Sequence, residues 1–222
     1  MIILVILTAI VIVGLVTLLS LFLGNAAPNR KQLDKTLDKL REDMRSWMGE
    51  LTPIDQEELE LFSLGQDKQT LRHGVTTTAK GIFTTIYHEP VVAYSYRRFI
   101  GPGTNDVLLA QTSAHEYIFH TRKGKTMLYI DGQEVGSLDA SGRLIGKRTK
   151  KELAKVNRET PKLLPVSVGG REVGSLVRPK NRGDKDPQER AFQFLRNDLS
   201  DKEEQLFLSL AVREMVERTV QK

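Results

Sequence analysis

Cysteine is absent from all 222 residues. Its absence excludes disulfides, thiolate zinc sites, a cysteine nucleophile and a bacterial lipoprotein anchor, and it agrees with a reducing compartment. Signatures of catalysis are missing too. No Gly-x-Ser-x-Gly elbow occurs, and Gly101-Pro102-Gly103 has neither the further glycine and lysine of a phosphate loop nor a helix after it, so it reads as a turn. His115-Glu116 with His120 suggests a zinc protease and fails the pattern. The histidines are five apart in a strand-like run, which puts them on opposite faces rather than on one helical face. The expectation is a protein that is not an enzyme, with no catalytic residue, no cofactor and no metal site.

Charge is absent from residues 2–23. As a helix, this run extends roughly 33 Å, against about 30 Å for the hydrocarbon core of a bilayer. Thr8, Gly14, Thr17 and Ser20 interrupt it only mildly, since a hydroxyl can bond a carbonyl of the preceding turn. A cleaved signal peptide would need a basic region ahead of a shorter apolar core; Gly24 and Ala26 are the only features resembling a cleavage site. Residues 1–24 are therefore expected to be a single-pass signal-anchor. Arg30, Lys31, Lys35, Lys39 and Arg41 follow within about 20 residues, which places the bulk of the chain in the cytoplasm and a short amino terminus outside the cell membrane.

The net charge of +5 is unevenly distributed. Residues 25–65 carry 6 Lys or Arg against 9 Asp or Glu, and residues 66–222 carry 27 against 19. In the first of these segments, Leu33, Leu37, Leu40, Met44, Trp47 and Leu51 recur at alternating spacings of four and three, a heptad seam. The seam can pair two membrane-tethered copies as a coiled coil, making a homo-oligomer, or it can lie on the chain's own distal domain. Pro53 should end the helix. Thr52 is placed to cap a short second helix with Pro53 first, ending near Leu64 and Gly65.

Strand periodicity begins at about Thr70. Apolar, Thr-rich and aromatic runs occupy residues 74–79, 81–88, 91–99, 106–112, 116–121, 126–130, 134–138, 164–168 and 171–178. Glu89-Pro90, Lys123-Gly124, Asp131-Gly132, Ser141-Gly142 and Gly169-Gly170 stand between them as turns. Residues 130–138 (Ile-Asp-Gly-Gln-Glu-Val-Gly-Ser-Leu) recur as residues 168–176 (Val-Gly-Gly-Arg-Glu-Val-Gly-Ser-Leu), identical at six of nine positions. A duplicated hairpin follows. Gly136 and Gly174 inside its return strands point to a bulge or to backbone packed closely on another element. Thr149 to Glu152 has the form of a capping box and predicts a short helix with Leu153 and Val156 inward. Residues 178–190 read as a polar, mobile loop.

Ser200 with Glu203 forms another capping box, opening a helix at 200–219. Leu206, Phe207, Leu208, Leu210, Ala211, Val212, Met215 and Val216 make it apolar on nearly every side, so it needs enclosure rather than one-sided packing. Thirteen residues from 206 to 218 are too few to span a bilayer. Arg143, Lys147, Arg148, Lys150, Lys151, Lys155 and Arg158 form the most basic stretch, a candidate contact for anionic phospholipid headgroups or an acidic partner. Near anionic lipid each such residue is worth about 1 kcal/mol. Tyr94, Tyr96, Arg97 and Arg98 mix aromatic and basic groups, but no nucleic-acid motif accompanies them, and nucleic acid is not the expected partner.

The many antiparallel strands, the Glu-Val-Gly-Ser-Leu returns and the apolar helix at 206–216 together resemble the tubby C-terminal-like superfamily, which includes phospholipid scramblases and LURP-one-related proteins, over residues 70–220. The resemblance implies a closed antiparallel barrel threaded by a hydrophobic carboxy-terminal helix, and lipid binding as in several members. It carries over no individual binding residue. Scramblase-like members place their membrane segment near the carboxy terminus, and their calcium-binding and cysteine-rich features have no counterpart here. The expected fold is mainly β with α: a transmembrane anchor (1–24), a helical stalk with a short helix (25–65), and a many-stranded antiparallel barrel-like domain with a buried carboxy-terminal helix (66–222). The expected function is a membrane-anchored binding module engaging anionic lipid, with a self-associating scaffold as the alternative.

Overall fold

A computed structural model describes residues 2–26, 30–74, 76–100, 104–160, 162–178 and 190–221. α1 (Ile2–Ala26) is a 25-residue helix with no charged residue. Its side chains are described from Ile6 to Ser20 and are exposed on every face. Thr17 and Ser20 donate their hydroxyls to the carbonyls of Val13 and Thr17 at 2.8 Å, which satisfies them without water. Among the described residues no helix is long and apolar enough to cross a membrane.

The stalk is not a free helix. α2 (Arg30–Met44) tightens into a 3-10 turn (Arg45–Glu50) before reaching Pro53, the residue expected to end it. Leu40, Met44, Trp47 and Leu51 are buried with Ile82, Ala93, Phe99, Val107, Leu109 and Ile118, and Leu33 and Leu37 pack beside them. The seam thus covers the outer face of the strands that follow, the second of the two arrangements open to it. The next helix also differs from expectation. α3 (Gln56–Glu60) is capped by Asp55 in a reciprocal box with Glu58, not by Thr52. Leu64 and Gly65 already belong to the first strand.

Twelve strands follow in simple succession: β1 (Phe62–Arg72), β2 (Thr77–Thr85), β3 (Pro90–Arg98), β4 (Asp106–Gln111), β5 (Glu116–Arg122), β6 (Lys125–Ile130), β7 (Gln133–Leu138), β8 (Arg143–Gly146), β9 (Glu152–Val156), β10 (Leu163–Val168), β11 (Arg171–Val177) and β12 (Phe192–Leu195). Each pairs antiparallel with the next. A Ser63–Arg190 bridge and a 2.7 Å bond from the Ala191 amide to the Phe62 carbonyl join last to first. The sheet is a nearly closed barrel.

α4 (Asp201–Val220) threads it. Phe207, Ala211, Val212 and Val216 have no exposed surface, and Leu206, Leu208, Leu210, Met215 and Val220 have at most 3%. They share one core with Phe62, Phe83, Tyr94, Tyr117, Phe119, Leu128 and Val166 from around the barrel. This is the enclosure that an all-round apolar helix requires. Ser200 and Glu203 form the expected capping box.

The repeat is a structural one. Asp131-Gly132 and Gly169-Gly170 make the two-residue turns, all four residues having positive φ, as a twisted hairpin demands. In each copy the register slips at the same place, so that Val135 and Val173 are bulged. The two glycines that follow serve close approaches. A Cβ on Gly136 would lie 2.2 Å from the Ile145 carbonyl oxygen, and one on Gly174 would lie 2.7 Å from the Phe207 ring.

Other expectations change. Residues 74–79 and 81–88 were separate runs in the sequence but contribute to one strand, β2. The helix expected from Thr149 does not form: Lys150 takes a positive φ in a tight turn, and β9 follows with Ala154 and Val156 inward at strand spacing. β8 and β12 occupy residues with no sequence expectation. Gly101-Pro102-Gly103 and most of the loop at 178–190 lie outside the described residues.

At the entry of α4 the Arg171 guanidinium holds Glu203 in a bidentate pair at 2.8 and 3.0 Å and reaches Asp198 at 3.1 Å. Hydrogen bonds from Arg171 hold the Glu203 carboxyl down to about 2, and Arg196, followed by Arg171, depresses Asp198 below the usual carboxylate range.

Two predictions follow from the packing and the pairing. Gly174→Ala must displace Phe207 or the backbone at Phe194, and overpacking of this kind costs about 1–3 kcal/mol. Denaturant unfolding of the detergent-solubilised chain, followed by circular dichroism, should show that loss, while Gly49→Ala, with nothing within 4 Å, should not. Because depressed carboxylates stabilise the fold above their unfolded pKa and lose that contribution as pH falls through the folded value, Arg171→Gln should differ from the parent most at neutral pH. The gap in unfolding midpoint should close between about pH 4.5 and 2, and it should shrink in high salt because these groups are exposed. A gap constant across that pH window would mean the pairing is not linked to protonation.

Candidate functional site

The meander gives the barrel two ends. One carries the β1–β2, β3–β4, β5–β6, β7–β8 and β9–β10 connections; the other carries the β2–β3, β4–β5, β6–β7, β8–β9 and β10–β11 turns. α2 relates them. Thr36 and Lys39 border a groove with Arg72, Thr78 and Arg97 at the first end, while Arg41 forms a bidentate pair at 2.9 Å with Glu116 at the second. α2 therefore begins at the first end, here called proximal, and runs toward the distal one. α4 runs the opposite way, from its distal start beside Arg171 to Arg218, which donates to the Val177 carbonyl at the proximal end.

The seven residues of the basic stretch do not share a face. Arg143 and Arg158 are proximal and engaged: Arg143 pairs with Asp139 at 3.0 Å, and Arg158 with Glu214 and the Ala140 carbonyl. Lys147, Arg148, Lys150 and Lys151 form the distal β8–β9 turn, where Lys147 pairs with Glu134 at 2.6 Å. Lys155 sits between, half-buried on β9. A run contiguous in sequence is divided because the chain crosses the barrel twice within it.

A different basic set gathers at the proximal end. Arg72, Arg122, Lys123, Lys125 and Lys162 are exposed there with no ion pair among the described residues, and Arg30, Lys31, Lys35 and Lys39 on α2 are likewise exposed and unpaired. Exposed carboxylates among them are Glu159 and, on α2, Asp34 and Asp38. The distal end carries Glu89, Glu116, Asp131, Asp198 and Asp201. The signal for this set lies in the turn positions: Arg122, Lys123 and Lys125 flank one hairpin and Arg72 ends another.

Inside the barrel the proximal mouth is polar. On β3, Tyr94 and Tyr96 face the interior, and strand alternation puts Arg98 on the same side. On β4, Leu108 and Ala110 face inward and so does Asp106; on β5 and β6, Thr121 and Thr126 continue the inward rows of Phe119 and Leu128. The tyrosines are thus core residues rather than a stacking surface, and burial pushes the Tyr94 and Tyr96 hydroxyls well above their ordinary range.

 In this arrangement α4 lies antiparallel to α2, entering distally and ending proximally.

α4 supplies the remaining polar groups of the mouth. Arg213, 5% exposed, donates to Thr121 and Thr126 at 3.4 and 3.3 Å, pairs with Glu217 at 2.5 Å and lies over the Phe119 ring. Burial, reinforced by Glu214 and Asp106, raises the Glu217 carboxyl above its ordinary value, against the pull of Arg213 and Arg158. These groups line a cavity of about 670 Å³ bounded also by Tyr96, Arg98, Phe99 and Asp139. In the sequence Arg98 stands out only within the Tyr94, Tyr96, Arg97 and Arg98 cluster and Asp106 not at all; the two become neighbours through the β3–β4 register.

The histidines serve elsewhere. His115, in the distal β4–β5 connection, lies 2.8 Å from both Asp131 and Gln205, bridging a turn to α4. His120 belongs to the outward row of β5, and burial lowers its pKa. Among the described residues no group of three potential ligands could hold a metal ion. No family model, no curated protein and no solved structure matches this chain.

Proposed function

We propose that the chain is a membrane-anchored binding module, not an enzyme, in which α1 spans the bilayer and the barrel is held on the cytoplasmic side with its proximal end toward anionic headgroups. The observation that carries this reading is the coincidence, at one end of the barrel, of the start of α2 with the unpaired Arg72, Arg122, Lys123, Lys125 and Lys162. Ala26 and Arg30 are four residues apart, so the end of α1 lies within about 15 Å of that same end. Basic groups so close to a surface of anionic lipid fall within its potential, whereas Arg148, Lys150 and Lys151 at the distal end lie beyond a Debye length. The lipid contact is thereby assigned to the proximal rim in place of the β8–β9 turn. The threaded barrel is also the architecture implied by the tubby-like resemblance, which remains part of this proposal. The heptad residues are buried against the sheet, so the scaffold alternative has no free seam in support.

Because the chain has no cysteine, single labels are easily introduced. Lys123→Cys and Lys150→Cys, each carrying an environment-sensitive fluorophore, should behave differently in nanodiscs containing phosphatidylglycerol. The label at 123 should be quenched by headgroup-labelled lipid and that at 150 should not. Equal quenching, or quenching only at 150, would reject the orientation; a chain that fails to enter nanodiscs at all would reject the anchor.

A further inference from the structure

Two opposite charges of the proximal mouth, Arg98 and Asp106, do not pair with each other. Arg98 and Asp106 are directly opposed in the β3–β4 register, yet no ion pair joins them. Among the described residues Arg98 donates to the Tyr96 hydroxyl at 3.0 Å. Asp106 is 3% exposed, and its Oδ1 has no donor among the described residues; Arg213 likewise has an Nε without an acceptor. A buried carboxylate without a donor and a buried guanidinium N–H without an acceptor are each costly. Nearby Arg158 is committed to Glu214, and Arg213 holds Glu217 through one terminal nitrogen, which leaves its Nε as the free donor.

We propose that this cavity binds an aminoalkyl phosphate, its phosphate on Arg98 and Arg213 and its primary ammonium on Asp106. The volume of about 670 Å³ lies within the range of small-molecule sites. Guanidinium groups suit phosphate because their planar N–H forks match its oxygens. A carboxylate beside them disfavours a simple anion and favours one that carries its own cation. Phosphoethanolamine has this chemistry whether free or as a lipid headgroup. The free form does not depend on the membrane reading; the lipid source rests on it.

The test is calorimetric titration of phosphoethanolamine into the full chain held in nanodiscs of phosphatidylglycerol and phosphatidylcholine. Binding should be saturable and at least about ten-fold tighter than that of inorganic phosphate or ethanolamine alone, a gap of about 1.4 kcal/mol. Phosphocholine, which has no N–H to offer Asp106, should bind about as weakly as phosphate. Asp106→Asn and Arg98→Gln should each abolish the advantage of phosphoethanolamine, with circular dichroism confirming that both variants remain folded. Exchanging phosphatidylcholine for phosphatidylethanolamine identifies the source: suppression of the titration supports the lipid headgroup, and an unchanged titration supports the free molecule. Binding no tighter than phosphate, or unaltered in both variants, overturns the proposal; so does a mouth closed by a direct Arg98–Asp106 pair, which would show no binding at all. The fluorophore experiment reports on orientation independently of this result, so the two proposals fail separately.

Discussion

The burial of α4 on every side is the constraint on which the rest of the structure depends. A helix with apolar residues around its whole circumference cannot be satisfied by one face of an open sheet. Twelve short strands wrapped in sequence supply the missing sides, and the Ser63–Arg190 bridge and the Ala191–Phe62 bond bring their ends together. The duplicated hairpin serves the same end. Its second glycine removes the side chain that would otherwise meet Phe207, so the sheet can close tightly around the helix.

Outside the barrel, a second and smaller apolar layer binds α2 to the outward faces of β2 to β5. This layer fixes α2 against the sheet along its length. Its length along the barrel, together with the Arg41–Glu116 pair at the far end, gives α2 a defined direction on the barrel. Among the described residues, Arg72, Arg122, Lys123, Lys125 and Lys162 gather at the proximal end, and Glu89, Glu116, Asp131 and Asp198 lie at the distal end beside Arg148, Lys150 and Lys151.

Much of this was legible in the sequence where local chemistry and tertiary demand agree. Asp131-Gly132 and Gly169-Gly170 specify their turns by positive φ, and the composition of residues 206–216 announces enclosure. Thr149 to Glu152 shows the opposite case: a sound capping pattern yields to strand pairing on both sides, with Lys150 absorbing the turn. β8 and β12 have four residues each, too short for periodicity to stand out. The polar mouth was hidden for a different reason. Arg213 meets Thr121 across 92 positions, and only the register reveals that Arg98 faces Asp106. Likewise, the basic run from Arg143 to Arg158 looked like one patch because sequence adjacency does not record that a hairpin carries its middle to the opposite end.

The position of α4 after all twelve strands has a consequence for how the chain acquires its fold. Neighbouring strands can pair as they emerge, since each contacts the next in sequence and the loops to be closed are short. The interior they create has no occupant until the last element arrives. Until then the inner row of Phe62, Phe83, Tyr117 and Phe119 faces an empty lumen, and the assembling sheet presents both apolar surface and open edges. Completion of the barrel is thus a single late event, in which one helix converts a sticky, half-rolled sheet into a closed domain.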